Sequence, residues 1–465
     1  MNNMTKPSRR SFIHSIFVVC FLSTATLFYS CKKFVEVSSP KTQITTPTVY
    51  SSDATAISAI EGIYSKMMEG GFASGYQSSV TMLAGLSSDE FINYSQNFQD
   101  FYTNSLSAVN LDINQLWTDA YSFLYQANAV LEGLSNSTML SSSIKTQLEG
   151  EAKFLRAFFH FYLLNLWGDV PLVETTDYRT NAIASRTSIA NVYQQIIMDL
   201  KDAQSQLSDD YSYSNNERTR PNKWAATALL SRVYLFMSDW INAEAQSTMI
   251  INNTSRYSLV SSLDDVFLIN SSEAIWQLMP VIPGQNTWEA KLFTIQDLIA
   301  LSDQTVNAFE SGDNRKNSWV NSYTDATGLH YYPFKYKISA DNEPLGEYSM
   351  VLRLAEQYLI RAEARAQQNN ISGSQEDISL IRTRAGLPNT TANDKTSLLF
   401  AIEHERQIEL FSEWGHRWFD LKRTNRANAI LAPLKGAGWQ STDAFYPIPQ
   451  SELLNDPNLI QNPGY

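Results

Sequence analysis

Glu405 and Glu409 stand one helical turn apart in Glu403-His404-Glu405-Arg406-Gln407-Ile408-Glu409, with Arg406, Arg417 and Arg423 near in sequence. Carboxylates at that spacing could do acid–base work, one holding a proton and the other accepting one, if they sat in a cleft that shifted a pKa. The alternative is a set of internal ion pairs that fix a helix against its neighbour. Buried charges persist only when paired, and the surrounding arginines favour this alternative. His404-Glu405 begins like the zinc-binding HExxH helix, but position 408 is Ile, so the second imidazole is missing. No glycine-rich phosphate loop and no GxSxG elbow is present. The expectation is a non-enzyme with no catalytic residue, no metal and no cofactor. A hydrolase whose acids meet only in the fold stays open as an alternative.

The second chemistry on offer is stacking. The chain has 23 Tyr, 23 Phe and 10 Trp. Flat rings at a surface cover the C–H faces of sugars, while Asn, Gln and Asp bond the hydroxyls. Two clusters mix such residues. Residues 72–110 have little clean periodicity and carry Asn93, Tyr94, Phe98, Gln99 and Tyr102. A long irregular segment in a helical chain points to function. The second cluster holds Trp288, Trp319, Tyr323, His330 and Tyr331, and Trp439 is a weaker third candidate. The ligand-binding candidates are Tyr94, Phe98, Tyr102, Trp288 and Trp319 for stacking, with Asn93 and Gln99 as polar contacts. The formal net charge of −12 argues against nucleic acid, which needs a basic surface.

Helices must position these groups. Ser51-Ser52-Asp53 caps a helix through Ile57, Ile60, Tyr64 and Met67 that Gly70-Gly71 stops. Asp112 caps the next, and others start at Ser143 and span Ile189–Leu207. Arg220-Pro221-Asn222 opens a further helix. Ser231, Tyr234 and Ala243 have the spacing of a tetratricopeptide pair, and Ala362 and Ser374 repeat its step. Leu352, Ala355, Leu359 and Ala362 make an amphipathic face. Residues 256–345 break this pattern, with a short strand at Ala274–Leu278 and a helix expected over Ile295–Phe309. The segment from Ile402 through Leu410 to Arg423 reads as helical throughout.

The N-terminus reads as an export signal over residues 1–30. Lys6, Arg9 and Arg10 precede the apolar run Ile16–Leu22, and Ser30 lies just before Cys31. Residues 31–50 read as a tether rich in Ser, Thr and Pro. The only other cysteine is Cys20 inside the leader, so Cys31 has no internal disulfide partner once the leader is removed.

Five segments in order, LRLAEQYLIRAEA, IRTRAGL, ERQIELFSEWGHRWFDLKR, FYPIPQSEL and QNPGY, resemble the SusD/RagB family of surface glycan-binding lipoproteins. Glu151–Ala157, Trp167–Val173, Gly312–Arg315 and Tyr331–Tyr336 extend the resemblance. It implies a mostly α fold, a tetratricopeptide-like hairpin scaffold with a loop-rich subdomain carrying a few short strands. The SusD-like domain would span 51–465, with an N-terminal part to about 255, an insert over about 256–345 and a C-terminal part beyond. The resemblance also implies acylation of Cys31, attachment to the outer membrane facing the cell exterior, and delivery of a captured oligosaccharide to a SusC-like TonB-dependent transporter. A peptide-binding relative, a carbohydrate-active enzyme and a structural subunit of the transporter are the alternatives.

Overall fold

The computed structural model describes residues 46–295 and 298–465. The leader, the tether to Thr45 and the lipidation candidate Cys31 lie outside the described residues. The helices and strands named here all belong to the unit Val49–Tyr465.

Helix α1 (Asp53–Glu69) is capped by the Ser52 hydroxyl, which accepts from Thr55 N, and it ends at Gly70. Helix α2 (Val80–Ser87) is buried along its whole length. Its apolar content contradicts the expectation that residues 72–110 form only an irregular loop. Strand β1 (Phe91–Asn93) follows. Helix α3 (Leu111–Asn136) is capped by Asn110 rather than Asp112, the Asn110 side chain accepting from two backbone N–H groups. Next come α4 (Ser142–Trp167), α5 (Ile189–Gln206), α6 (Lys223–Phe236) and α7 (Trp240–Ile251). Strands β2 (Ala274–Leu278), β3 (Ile299–Leu301), β4 (Val320–Asp325), β5 (Gly328–Pro333) and β6 (Ser349–Arg353) occupy the middle of the chain. Helices α8 (Leu354–Gln367), α9 (Ile371–Arg384), α10 (Lys395–Glu409), α11 (His416–Arg423) and α12 (Gln450–Asn455) complete the elements that frame the site.

Helices α3 to α8 pack on one another in chain order, and α8 also takes α9 and α10. Stacked hairpins of this kind bury a continuous core, because one hairpin cannot cover its own apolar face. Arginine–carboxylate pairs tie neighbouring helices. Arg156 holds Asp199 at 2.6 and 2.8 Å between α4 and α5. Arg232 holds Glu356 at 2.6 and 2.7 Å between α6 and α8. Arg361 reaches Asp377 at 2.7 Å between α8 and α9. The two-pronged geometry suits guanidinium and carboxylate and offsets the cost of burying them.

Two expectations fail for tertiary reasons. Among the described residues of Ile295–Phe309, only Asp303–Ala308 is helical, and Ile299–Leu301 instead pairs antiparallel with β1. The helix through Glu409 does not continue to Arg423. It breaks over 410–415, where Trp414 and Gly415 have φ of 46° and 70°. There Ser412 N donates to Glu90 at 3.0 Å and Trp414 N to Thr81 at 3.1 Å. A Cβ on Gly415 would lie 2.7 Å from that of Ala84, so glycine lets α2 approach closely. The Trp414 ring joins Phe158 and Trp276 in the core, Phe158 standing 5.4 Å from each.

Candidate functional site

The carboxylates with catalytic spacing are structural. Glu405 and Glu409 are 1% and 0% exposed. Arg315 reaches Glu405 at 2.5 Å and Glu409 at 3.0 Å, and its other edge holds Asp313 at 2.8 Å. Arg353 reaches Glu409 at 2.6 Å and Glu413 at 2.8 Å. Arg384 bonds both Glu409 and Glu273. Burial pushes the Glu409 carboxyl up, but Arg384, Arg353 and Arg315 outweigh it and hold the group well below the usual range. A carboxylate so held neither keeps a proton nor reaches a substrate.

Trp319 belongs to this network and is corrected as a stacking residue. It is 0% exposed, its indole N–H donates to Leu263 O at 2.8 Å, and Lys335, Arg353 and Arg384 lie 4.8 to 6.0 Å from its ring centre. It has no face left for a sugar. Phe98 is also corrected, since it is buried in the main core. Trp439 is buried too, donating to Asn428 at 2.9 Å. Tyr102 is half-buried beneath the Lys435 ammonium, 4.4 Å from its ring centre. Trp288 is half-buried, donates to Met68 O at 2.7 Å and packs on Tyr76 with ring centres 4.6 Å apart.

Tyr94 stands apart, being 39% exposed. It follows β1, and its N–H extends the pairing to β3 by donating to Leu298 O at 3.0 Å. The β4–β5 hairpin meets it from the other side. Tyr323 is the cross-strand partner of His330, and Asn321 of Tyr332. Alternation along a strand puts Tyr323, His330 and Tyr332 on one face and Tyr331 on the other. Ring centres lie 5.1 Å apart for Tyr323–His330 and 6.2 Å for Tyr323–Tyr332. Tyr94 meets the His330 ring edge-on at 5.0 Å, and its hydroxyl lies 2.8 Å from Nδ1. Nε2 lies 3.0 Å from Asp325 and 2.8 Å from the Thr327 hydroxyl. Donation from Nε2–H to the carboxylate leaves Nδ1 to accept the Tyr94 proton, so one imidazole locks the hairpin to the β1 loop. Burial first, and then the nearby Tyr323, Asp303 and Asp325, push the Tyr94 phenol up.

Asn93 shapes the loop beneath. Its Oδ1 accepts from Ser95 N at 3.1 Å and its Nδ2 donates to Gln99 Oε1 at 3.2 Å. Gln99 is exposed, and its amide N–H groups can still donate. The structure therefore brings Asn93, Tyr94 and Gln99 together with Tyr323 and His330. It keeps Phe98 and Trp319 inside. Sequence reasoning missed Tyr332 and Asp325. The available signal was Tyr323 and Tyr332 at strand spacing around the turn Asp325-Ala326-Thr327-Gly328.

Among the described residues no helix is long and apolar enough to cross a membrane, and no group of His, Cys, Asp and Glu could hold a metal ion. Residues 33–235 match a family model described as SusD-like, starch-binding and associating with the outer membrane, and residues 284–465 match the model of the SusD family. A SusD-like protein of Formosa agariphila is 25% identical, over 97% of this chain and 99% of its own. The starch-binding protein SusD of Bacteroides thetaiotaomicron is 22% identical, over 68% and 72%. Among solved structures, a SusD superfamily protein from Bacteroides vulgatus superposes with a TM-score of 0.77 at 20% identity, covering 89% of this chain and 99% of that one. A laminarin-binding SusD-like protein does so with a TM-score of 0.72 at 23% identity, covering 90% and 100%. Helical architecture, the matched segments and these likenesses agree: the chain belongs to the SusD/RagB family.

Proposed function

We propose that this protein captures an oligosaccharide at the outer membrane and passes it to a SusC-like TonB-dependent transporter, held to the membrane by lipid on Cys31. The observation that carries the reading is the exposed Tyr94 ring, locked edge-on to His330, whose ring lies against Tyr323 and through it Tyr332, with Gln99 held by the neighbouring Asn93. Rigid rings take the C–H faces of sugar units at little entropic cost, and the nearby amide bonds hydroxyls. Such open sites are wet and give affinities of about 1 mM to 1 μM, roughly −4 to −8 kcal/mol. The starch-binding and laminarin-binding relatives support this ligand class. The burial of Glu405 and Glu409 among arginines supports binding without hydrolysis. The family match supports surface attachment and the transporter as partner.

The test is an affinity gel and a glycan array with the protein lacking residues 1–31. Retardation by one polysaccharide without its degradation, lost in Tyr94→Ala/Tyr323→Ala, is the expected result. Product formation would replace the reading with an enzymatic one, and calorimetric binding of oligopeptides alone would replace it with peptide import. Co-purification with a SusC-like transporter tests the partner.

A further inference from the structure

A second set of rings lies where α3, residues 170–182 and α12 meet. They enclose a cavity of about 370 Å³, within the lower range of small-ligand sites. Tyr125 and Tyr178 stand at it 53% and 77% exposed. Beneath, the Trp117 and Tyr121 rings are 4.7 Å apart, and the Tyr121 hydroxyl is pinned by donating to Pro171 O at 2.9 Å. Four aromatic side chains around one hollow exceed what covering a core needs, because two of them remain in solvent.

The polar lining selects the ligand. Glu452 and Asp456 stand one turn apart at the end of α12, and no lysine or arginine lines the cavity. Asn181 donates to Thr175 O at 2.8 Å, which leaves its Oδ1 to accept. The site therefore offers hydrogen-bond acceptors and apolar rings, with two carboxylates and no cation in its lining to meet an anionic ligand. A neutral sugar fits this combination, with hydroxyl donors around its rim and C–H groups on its faces. The Glu452 carboxylate, raised in pKa by burial and already accepting from the Trp117 indole, keeps further lone pairs that a ligand hydroxyl can fill and a purely apolar partner cannot.

We propose that this cavity is a second binding site for a neutral glycosyl unit, built on elements separate from those around Tyr94. The inference rests on the glycan-capture reading and adds to it. Two sites on one protein would grip one polysaccharide chain together, and engaging both raises apparent affinity without new contacts.

The experiment compares the purified protein with Tyr125→Ala/Tyr178→Ala and with Tyr94→Ala/Tyr323→Ala. Affinity gels carry soluble starch, laminarin and other neutral glycans, and calorimetry uses short oligosaccharides of whichever polymer retards the protein. The expected result is two oligosaccharides bound per chain, falling to one in either double variant. Polymer retardation should weaken by about tenfold or more when Tyr125 and Tyr178 are removed. A single site abolished by the Tyr94 pair and untouched by the Tyr125 pair overturns the second site and leaves glycan capture standing. Silence of the unaltered protein on every glycan overturns both readings. The stoichiometry of the unaltered protein decides the matter even if a variant misfolds.

Discussion

Replacing Glu409 by Gln tests whether the charged centre is frame or chemistry. Glu409 is fully buried and accepts from Arg353 at 2.6 Å, from Arg315 at 3.0 Å and from Arg384. The neutral amide keeps the shape and removes the charge that three guanidinium groups share. Breaking a buried pair by removing one partner costs about 3–5 kcal/mol, because the other charge is left uncompensated. The folded unit spans Val49–Tyr465. At about 2.1 cal/mol/K per residue its melting entropy is roughly 0.9 kcal/mol/K, so the expected fall in Tm is about 3–6 °C. Melting followed by circular dichroism at pH 7 reads this, with an affinity gel alongside. Glycan retardation should survive, because Glu409 lies outside the Tyr94 platform. The pH dependence gives a second check. The folded-state pKa of Glu409 lies well below its ordinary 4.5. Its stabilisation is therefore fully present above about pH 4.5 and is lost as pH falls through the lower folded value. The gap between wild type and variant should hold from pH 8 to 5 and close on strong acidification. An unchanged or higher Tm at pH 7 would refute the argument, as would loss of glycan binding with stability intact.

The same geometry sets four more outcomes. Tyr94→Ala should weaken glycan binding by about two- to twelvefold, the equivalent of one stacked ring at about 0.5–1.5 kcal/mol, and should lower Tm by only about 1–2 °C through loss of its hydrogen bond to His330; titration calorimetry and a thermal melt check the two halves. Trp319→Ala should instead cost about 3–5 kcal/mol of stability, visible in denaturant unfolding, because a fully buried ring leaves a cavity beneath three cations. Burial raises Glu289 to about 7 and Glu90 to about 8, so the fold keeps protons that the unfolded chain loses above about pH 4.5. Through these two groups stability falls as pH rises from 5 to 8, and Glu289→Gln should remove the Glu289 share, roughly 3 kcal/mol at most, read as the pH dependence of the difference between wild type and variant in melts across that window. Gly75→Ala should lower Tm, because φ is +79° and the new Cβ would lie 2.3 Å from the buried Glu289 carboxyl carbon.

What could be read from the chain was what is local. Caps, the tetratricopeptide step and most of the amphipathic face of α8 depend on residues a few positions apart, and the capped helices stand close to where those signals put them; Leu352, read as the first residue of the α8 face, instead belongs to strand β6, which pairs with β2, and α8 begins at Leu354. The breaks depend on partners far away. The chain turns at Trp414 because Thr81 and Glu90 wait for its backbone N–H groups, more than three hundred residues earlier. Ile299–Leu301 is a strand because Phe91–Asn93 needs one. The same limit divided the aromatic candidates. Trp319 and Tyr323 are four residues apart and alike in type, yet one lies under cations and the other on a hairpin face. What separates them is whether a ring meets paired charge or open strand, and only the folded neighbours decide that. The residues with the most reactive look, Glu405 and Glu409, became frame because arginines take their oxygens. The residues with the least reactivity became the candidate site, because a ring needs only an uncovered face, and Tyr94 keeps one while its hydroxyl holds His330.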